Sequence, residues 1–269
     1  MSKKSSIEWA DKTFNPISGR CPNNCTDLEG EPYCYMWRKG GIANRFKKVH
    51  DHPLRLNDGT NRTKDILNHI PKSGRVFVGS STDMFVDQVP DEWIYQVFRR
   101  IYRVQHLGTK YFFLTKKTYR YIELIKHEIY PPIFQWFGTT YDGTEQTKEN
   151  LAILKTMHDD RSNIYFEYRL FVSFEPLLTD PSGLDLSGIR WIIIGADSRK
   201  GKPKPPKEWA DYLIEEARRV GARVFIKDNY GYPELIKEMP LYSEGSVSQS
   251  GKRKNNGKSG IYGSGNPNL

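Results

Sequence analysis

Leu170-Phe-Val-Ser-Phe174, running into Glu175-Pro176, and Trp191-Ile-Ile-Ile194, running into Gly195, are apolar almost without a break and turn polar or small where they stop. A strand with one wet face alternates apolar and polar residues; one buried on both faces does not, and that is the habit of a parallel sheet covered by helices. The same kind of run recurs on either side, at Arg75-Val-Phe-Val-Gly79, Tyr111-Phe-Phe-Leu-Thr115, Phe134-Gln-Trp-Phe-Gly138 and Arg223-Val-Phe-Ile226. Helical patterns separate the runs. Ile94, Val97, Phe98 and Ile101 make an apolar stripe after the start signal Pro90-Asp91-Glu92. A second helix is predicted over 118–128, and a third over about 145–158 carrying Leu151, Leu154 and Met157. A fourth has Trp209, Tyr212, Leu213 and Val220 on one face. With the extended segment near Thr13-Phe14-Asn15-Pro16 this makes six or seven strand units. The pattern predicts an α/β fold, a partial or complete parallel (β/α)6-7 barrel, with an open doubly wound sheet as the competitor. A short helix is also expected past Cys34, through Met36 and Trp37, interrupted by Gly40-Gly41; residues 44–69 are polar and carry no clear pattern.

No repeat of solenoid period appears and no internal linker divides the chain, so residues 1–242 read as one barrel domain. Residues 243–269, rich in Gly, Ser, Asn and Lys, read as a flexible basic tail. No apolar run reaches the ~18 residues of a membrane span, and Met-Ser-Lys-Lys-Ser-Ser lacks the apolar stretch of a signal peptide. The expectation is a cytoplasmic protein with no membrane partner. The formal net charge is +9, which points to a polyanion as partner or substrate, although part of the excess lies in the tail at Lys252, Arg253, Lys254 and Lys258.

All 3 cysteines of the 269-residue chain lie within residues 21–34, in Cys21-Pro-Asn-Asn-Cys25-Thr-Asp-Leu-Glu-Gly-Glu-Pro-Tyr33-Cys34. An odd count in a long chain does not suit a disulfide framework. Three thiolates on one loop suit a metal centre, and three protein ligands leave a coordination position open for chemistry. One possibility is a structural zinc site with His50 or His52 as fourth ligand; the other is a [4Fe-4S] cluster held by three thiolates. No phosphate loop, His-Glu-x-x-His or Gly-x-Ser-x-Gly signature occurs.

In parallel barrels the loops that follow the strands gather at one working face. The predicted strands end there in Ser80-Ser81-Thr82-Asp83, Thr115-Lys116-Lys117, Thr139-Thr140 with Asp142, Glu175-Pro176, Gly195 with Asp197, and Lys227-Asp228. Glu175 and Lys227 each follow an apolar run with no gap, so their side chains are expected at the barrel mouth, where a buried charge needs a partner or a ligand.

Cys-x3-Cys followed by the aromatic–Cys pair Tyr33-Cys34 resembles the radical S-adenosylmethionine signature, with a longer second gap than is usual there. Ile7-Glu-Trp-x-Asp-x-Thr-Phe-Asn-Pro16, Val76-Phe-Val-x-Ser-x-x-Asp-Met-Phe85, Leu114-Thr-Lys-Lys117, Phe171-Val-Ser-Phe-Glu-Pro-Leu-Leu178, Trp191-Ile-Ile-Ile-Gly195 and Val224-Phe-Ile-Lys227 together resemble the phage and bacterial three-Cys-motif family, related to spore photoproduct lyase. That family has its long cysteine gap first and its short one second, the reverse of the order here. The resemblance implies a barrel of radical S-adenosylmethionine type in which Cys21, Cys25 and Cys34 bind a [4Fe-4S] cluster and the open iron takes S-adenosylmethionine. Reduction of the cluster would then release a 5′-deoxyadenosyl radical. It further implies that Ser80, Ser81 and Asp83 meet the methionyl amino group, that Thr139 and Glu175 lie along the ribose and sulfonium, and that Gly195 also binds the cofactor. Lys116 and Lys227 would serve the substrate or its phosphate, and an electron-donor protein would be a partner. The expected substrate is a nucleobase or nucleic acid. The same chemistry on a peptide or small metabolite, or a non-catalytic zinc protein that binds nucleic acid, are the other readings.

Overall fold

In the computed structural model, residues 6–60, 64–105, 108–132, 134–159 and 168–240 are described; the tail predicted at 243–269 lies outside them. Seven strands form one sheet: β1 (Lys12–Phe14), β4 (Gly74–Val78), β5 (Thr109–Thr115), β6 (Trp136–Thr140), β7 (Arg169–Phe174), β8 (Ile189–Ile194) and β9 (Arg223–Ile226). Every pairing is parallel and the spatial order follows the chain order without reversal. An open doubly wound sheet reverses direction at a switch point; this one does not. The four long helices α3 (Asp91–Val104), α4 (Tyr119–Lys126), α5 (Glu145–Asp159) and α6 (Lys207–Val220) lie in the crossovers. Near the first cysteine, β2 (Ile17–Ser18) pairs antiparallel with β3 (Arg55–Leu56), and the short helices α1 (Ile42–Arg45) and α2 (Lys47–His50) lie between them.

The strand alternation sorts two cores. Val76, Val78, Phe113, Phe137, Val172, Ile192 and Ile194 face the helices and pack with the predicted stripe of Ile94, Val97, Phe98 and Ile101, and with Leu151, Leu154 and Leu213. Their neighbours in sequence, Phe77, Phe112, Trp136, Phe171, Trp191 and Phe225, form a separate aromatic core on the other face. Trp9, 2% exposed, lies among them. Its ring centroid is 4.8 Å from that of Phe77 on β4, 5.8 Å from Phe112 on β5, 6.4 Å from Phe171 on β7 and 5.8 Å from Trp191 on β8. One indole reaches four strands of a sheet only if the sheet curls around it. The architecture is a curled, open half-barrel filled at one end by aromatic rings. Gly138 fits this curvature: a Cβ there would stand 2.6 Å from the Phe171 ring and carbonyl.

Two expectations need correction. The segment through Met36 and Trp37 is a turn, with the Trp37 and Arg38 amides donating to the Cys34 carbonyl at 3.1 and 2.9 Å; helix begins only after Gly41. The run at Phe134 enters the sheet two residues late, at Trp136. Phe134 itself has φ 60°, a left-handed backbone that no strand contains.

Candidate metal centre at the barrel mouth

β1 ends at Phe14 beside β4, and the chain then crosses the face where the other strands end. Asn15 fixes the crossing: its side-chain oxygen accepts from the Ser80 hydroxyl and the Ser81 amide, each at 3.1 Å. The cysteine segment follows and is tied to the ends of four strands. After β4, Asp83 accepts from the Asn23 side chain at 2.8 Å, and the Ser80 carbonyl accepts from the Tyr35 hydroxyl. After β5 and β6, Lys116 and Asp142 hold the Tyr33 hydroxyl. After β8, Ser198 accepts from Arg38 at 3.0 Å and Arg199 binds Asp27 at 2.5 Å.

The long gap between Cys25 and Cys34 is an excursion pinched shut at its base. Thr26 and Pro32 form an antiparallel bridge, the Asp27 amide donates to the Glu31 carbonyl at 2.9 Å, and the Tyr33 amide donates to the Cys25 carbonyl at 3.0 Å. The residues in between project outward while the two cysteines meet.

All three thiols are free and half-buried. Cys25 and Cys34 are close enough for their titrations to be linked. That proximity, with the backbone amides of Trp37 and Met36, brings the Cys34 thiol down to about 6. The same proximity and burial push Cys25 well up, against the pull of the Lys116 cation. Burial and the nearby Asp83 charge push Cys21 up to about 11, although its sulfur accepts from the Asp83 and Asn23 amides. The Cys34 charge raises Cys21 as a smaller effect. Among the described residues no group of three or more His, Cys, Asp and Glu side chains is arranged to hold a single metal ion. His52 is half-buried and its ring contacts the Pro53 carbonyl; neither it nor His50 completes a four-ligand set with the thiols.

The other predicted residues fall into two groups around this centre. Asp83 is a junction, accepting from Asn23, from the Thr115 hydroxyl at 2.9 Å, from the Lys116 amide at 3.1 Å and from the Phe85 amide at 2.9 Å. Burial still raises its pKa against these bonds. Lys116 Nζ lies 2.5 Å from Asp142 Oδ2, donates to the Tyr33 hydroxyl and sits 4.9 Å from the centroid of the Tyr33 ring. Thr139 is fully buried, and its hydroxyl donates to the Thr115 carbonyl at 2.9 Å; the neighbouring Thr140 takes the inward position.

Across the mouth, Lys227 forms an ion pair with Glu175. Gly195 leaves room for it, since a Cβ there would be 3.1 Å from Glu175 Cγ and 3.2 Å from Lys227 Cδ. Glu175 raises the Tyr35 pKa, behind the larger effects of burial and Cys34, so this pair lies within electrostatic reach of the cysteine segment.

Three partners in this region were not read from the sequence. They are Asn15, Asn23 and the cluster in which Arg199 binds Asp27 and Asp197, each at 2.5 Å, with Lys202 2.9 Å from Asp27. The dipeptide Asn15-Pro16 carries a turn signal, but nothing in a single sequence pairs residue 27 with residue 199.

No curated protein and no solved structure matches the chain. A family model described as Protein of unknown function (DUF5131) matches residues 4–258 of the 269, and the chain belongs to that family.

Proposed function

We propose that this chain is a radical S-adenosylmethionine enzyme that acts on a nucleobase or nucleic acid. The observation that carries the reading is the placement of three free thiols over the open end of a curled parallel sheet, on a segment tied to four strand ends, with the backbone at Asn23 and Asp83 lowering the Cys21 pKa and that at Met36 and Trp37 lowering the Cys34 pKa. Amide-to-sulfur hydrogen bonds are a principal means by which proteins stabilise and tune cluster thiolates. The donor set is soft, which suits iron–sulfur. A single zinc ion needs its donors about 2.3 Å from one point, whereas a cubane takes its thiolates on separate irons and tolerates a wider spread. Cys21, Cys25 and Cys34 would hold the cluster, and when bound it supplies the electron that cleaves S-adenosylmethionine.

The chain's own residues orient and shield. Asp83 and Asn23 fix Cys21, and Tyr33 and Tyr35, on either side of Cys34, anchor it to the ends of β4, β5 and β6. The aromatic core beneath the mouth keeps water from the barrel interior. Ser80, Ser81, Glu175 and Gly195 are the proposed surroundings of S-adenosylmethionine; the anionic Glu175 suits a cationic ligand, while Thr139, buried with its hydroxyl on the Thr115 carbonyl, is not among them. Lys116 and Lys227 are proposed for the substrate side, and an electron-donor protein is the proposed partner. Cytoplasmic location belongs to the same reading. Among the described residues no helix is long and apolar enough to cross a membrane.

Anaerobic purification followed by iron and sulfide analysis and visible absorbance tests the proposal. The protein should be brown, and on reduction should convert S-adenosylmethionine to 5′-deoxyadenosine. Cys34→Ala should lose both iron and cleavage. Colourless protein containing zinc, or cleavage retained in Cys34→Ala, overturns it.

A further inference from the structure

Residues 38–50, which follow the last cysteine, hold five Lys and Arg and no Asp or Glu. Arg45, Phe46, Lys47, Lys48 and Val49 are all exposed, Phe46 and Val49 each to 57%. Among the described residues the side chains of Arg45, Lys47 and Lys48 make no ion pair or hydrogen bond. The cations of the neighbouring mouth differ: Lys116, Arg199, Lys202 and Lys227 are each matched to a carboxylate.

The segment is bonded to the metal centre's own turn. Ile42 and Ala43 donate their amides to the carbonyls of Tyr35 and Met36 at 3.0 and 2.8 Å. α1 and α2 do not join into one amphipathic helix, because Phe46 stands between them with φ −122° and ψ 47°. What results is a short, rigidly attached ledge of unmatched positive charge with an aromatic ring standing out of it.

We infer that this ledge is the binding surface for single-stranded nucleic acid, with backbone phosphates on Arg45, Lys47 and Lys48 and a base stacked on Phe46. The charges are complementary to a phosphate chain, and a stacking ring among cations is how single strands are held without sequence readout. The broken helix disfavours a membrane-surface role, which needs a continuous apolar face. The ledge adjoins the cysteine turn, so a strand lying on it delivers a neighbouring nucleotide to the mouth. The inference rests on the nucleic-acid reading of the substrate proposed above; it does not depend on the cluster.

Fluorescence anisotropy of a labelled single-stranded oligodeoxynucleotide with the full chain, without S-adenosylmethionine, tests it. The background is Lys252→Gln, Arg253→Gln, Lys254→Gln and Lys258→Gln, which removes the tail cations. Arg45→Glu, Lys47→Glu and Lys48→Glu together should weaken binding at least about tenfold and lower the salt slope by ~2, at about 0.7 per phosphate contact. Phe46→Ala should weaken binding about tenfold with the slope unchanged. The residues are exposed and unmatched, so the melting temperature should hold. Equal affinity and slope in the triple variant, no binding by the parent, or binding to anionic phospholipid vesicles in place of the oligonucleotide overturns the inference. Protein that binds through the ledge but carries no iron overturns the enzyme reading alone; protein that cleaves S-adenosylmethionine while the triple variant still binds overturns the ledge alone.

Discussion

Tyr33 donates its amide to the carbonyl of Cys25 at 3.0 Å, closing the base of an excursion whose flank at Asp27 is held from outside by Arg199. The closure brings Cys34 back to Cys25 whatever the length of chain between them, which is cheap because loop entropy grows slowly with length.

Arg199 is the clamp on that excursion. Its guanidinium bridges Asp27 and Asp197, and with Lys202 holds the Asp27 carboxyl well below the usual carboxylate range. Arg199→Ala should speed hydrogen exchange at the Glu29 and Glu31 amides, which rest on Asp27, and leave the sheet amides protected. Arg199→Lys should restore only part of the protection, since an ammonium cannot span two carboxylates as a planar fork does. Unchanged exchange in Arg199→Ala would show that the bridge and backbone closure suffice without the clamp.

Lys116 and Asp142 form an enclosed ion pair at the mouth, with the Asp142 side chain 3% exposed. Burial alone would raise the Asp142 pKa, but the Lys116 ammonium and the hydrogen bonds outweigh it, bringing the carboxyl down from 3.8 to about 2. A folded-state pKa below the unfolded one stabilises the protein above the unfolded value, and that stability drains as pH falls through the folded value. The pair should therefore contribute about 2 kcal/mol at neutral pH, lost between about pH 4 and pH 2. Lys116→Met should cost about 3 kcal/mol in urea unfolding, because it leaves a buried charge unmatched. Adding Asp142→Asn should recover most of the loss; a double variant no more stable than the single one contradicts the pairing.

The legible parts of this chain are those where one physical signal acts alone. β7, β8 and β9 are apolar on both faces, and the stripe on α3 has a clean helical period, so their positions follow from burial. The first strand was legible as an extended segment at Thr13-Phe14, but the β2–β3 pair and the two short helices were not, because they are too short to show a period and are fixed by contacts to distant residues such as Asn57 with Asn15. The strand-end residues Lys116, Glu175 and Lys227 were legible as mouth residues. Their partners were not all legible: Lys116 with Tyr33 joins residues that only the curl of the sheet brings together.

Trp9 is the cork of the aromatic end, and no periodicity marks it because it precedes the first strand. Trp9→Ala should remove about 3–5 kcal/mol of stability and expose the interior rings, read as a drop in the urea midpoint and a gain in binding of a hydrophobic dye. Trp9→Phe should retain most of the stability by keeping a ring in the gap. A midpoint unchanged in Trp9→Ala would show that the sheet does not close around this residue.

Gly195 separates stability from ligand binding at the other end of the barrel. Its amide donates to the Phe174 carbonyl at 2.9 Å and its carbonyl accepts from the Leu177 amide at 3.0 Å, so the backbone there is fixed by β7. A methyl group added at Gly195 meets Glu175, Lys227 and the Asn229 side-chain oxygen at 3.1–3.3 Å, tight enough to push the ion pair aside without invading the core. Gly195→Ala should cost about 1 kcal/mol in unfolding. If Glu175 faces the sulfonium, the same change should weaken S-adenosylmethionine binding about tenfold by calorimetry, and Glu175→Gln should weaken it similarly with the backbone undisturbed. Lys227→Met leaves Glu175 without its cation and should tighten binding of a positively charged ligand rather than weaken it. Opposite signs for Glu175→Gln and Lys227→Met are the signature of a cationic ligand at this pair; equal losses in both would place the ligand elsewhere and leave the pair a structural brace between β7 and β9.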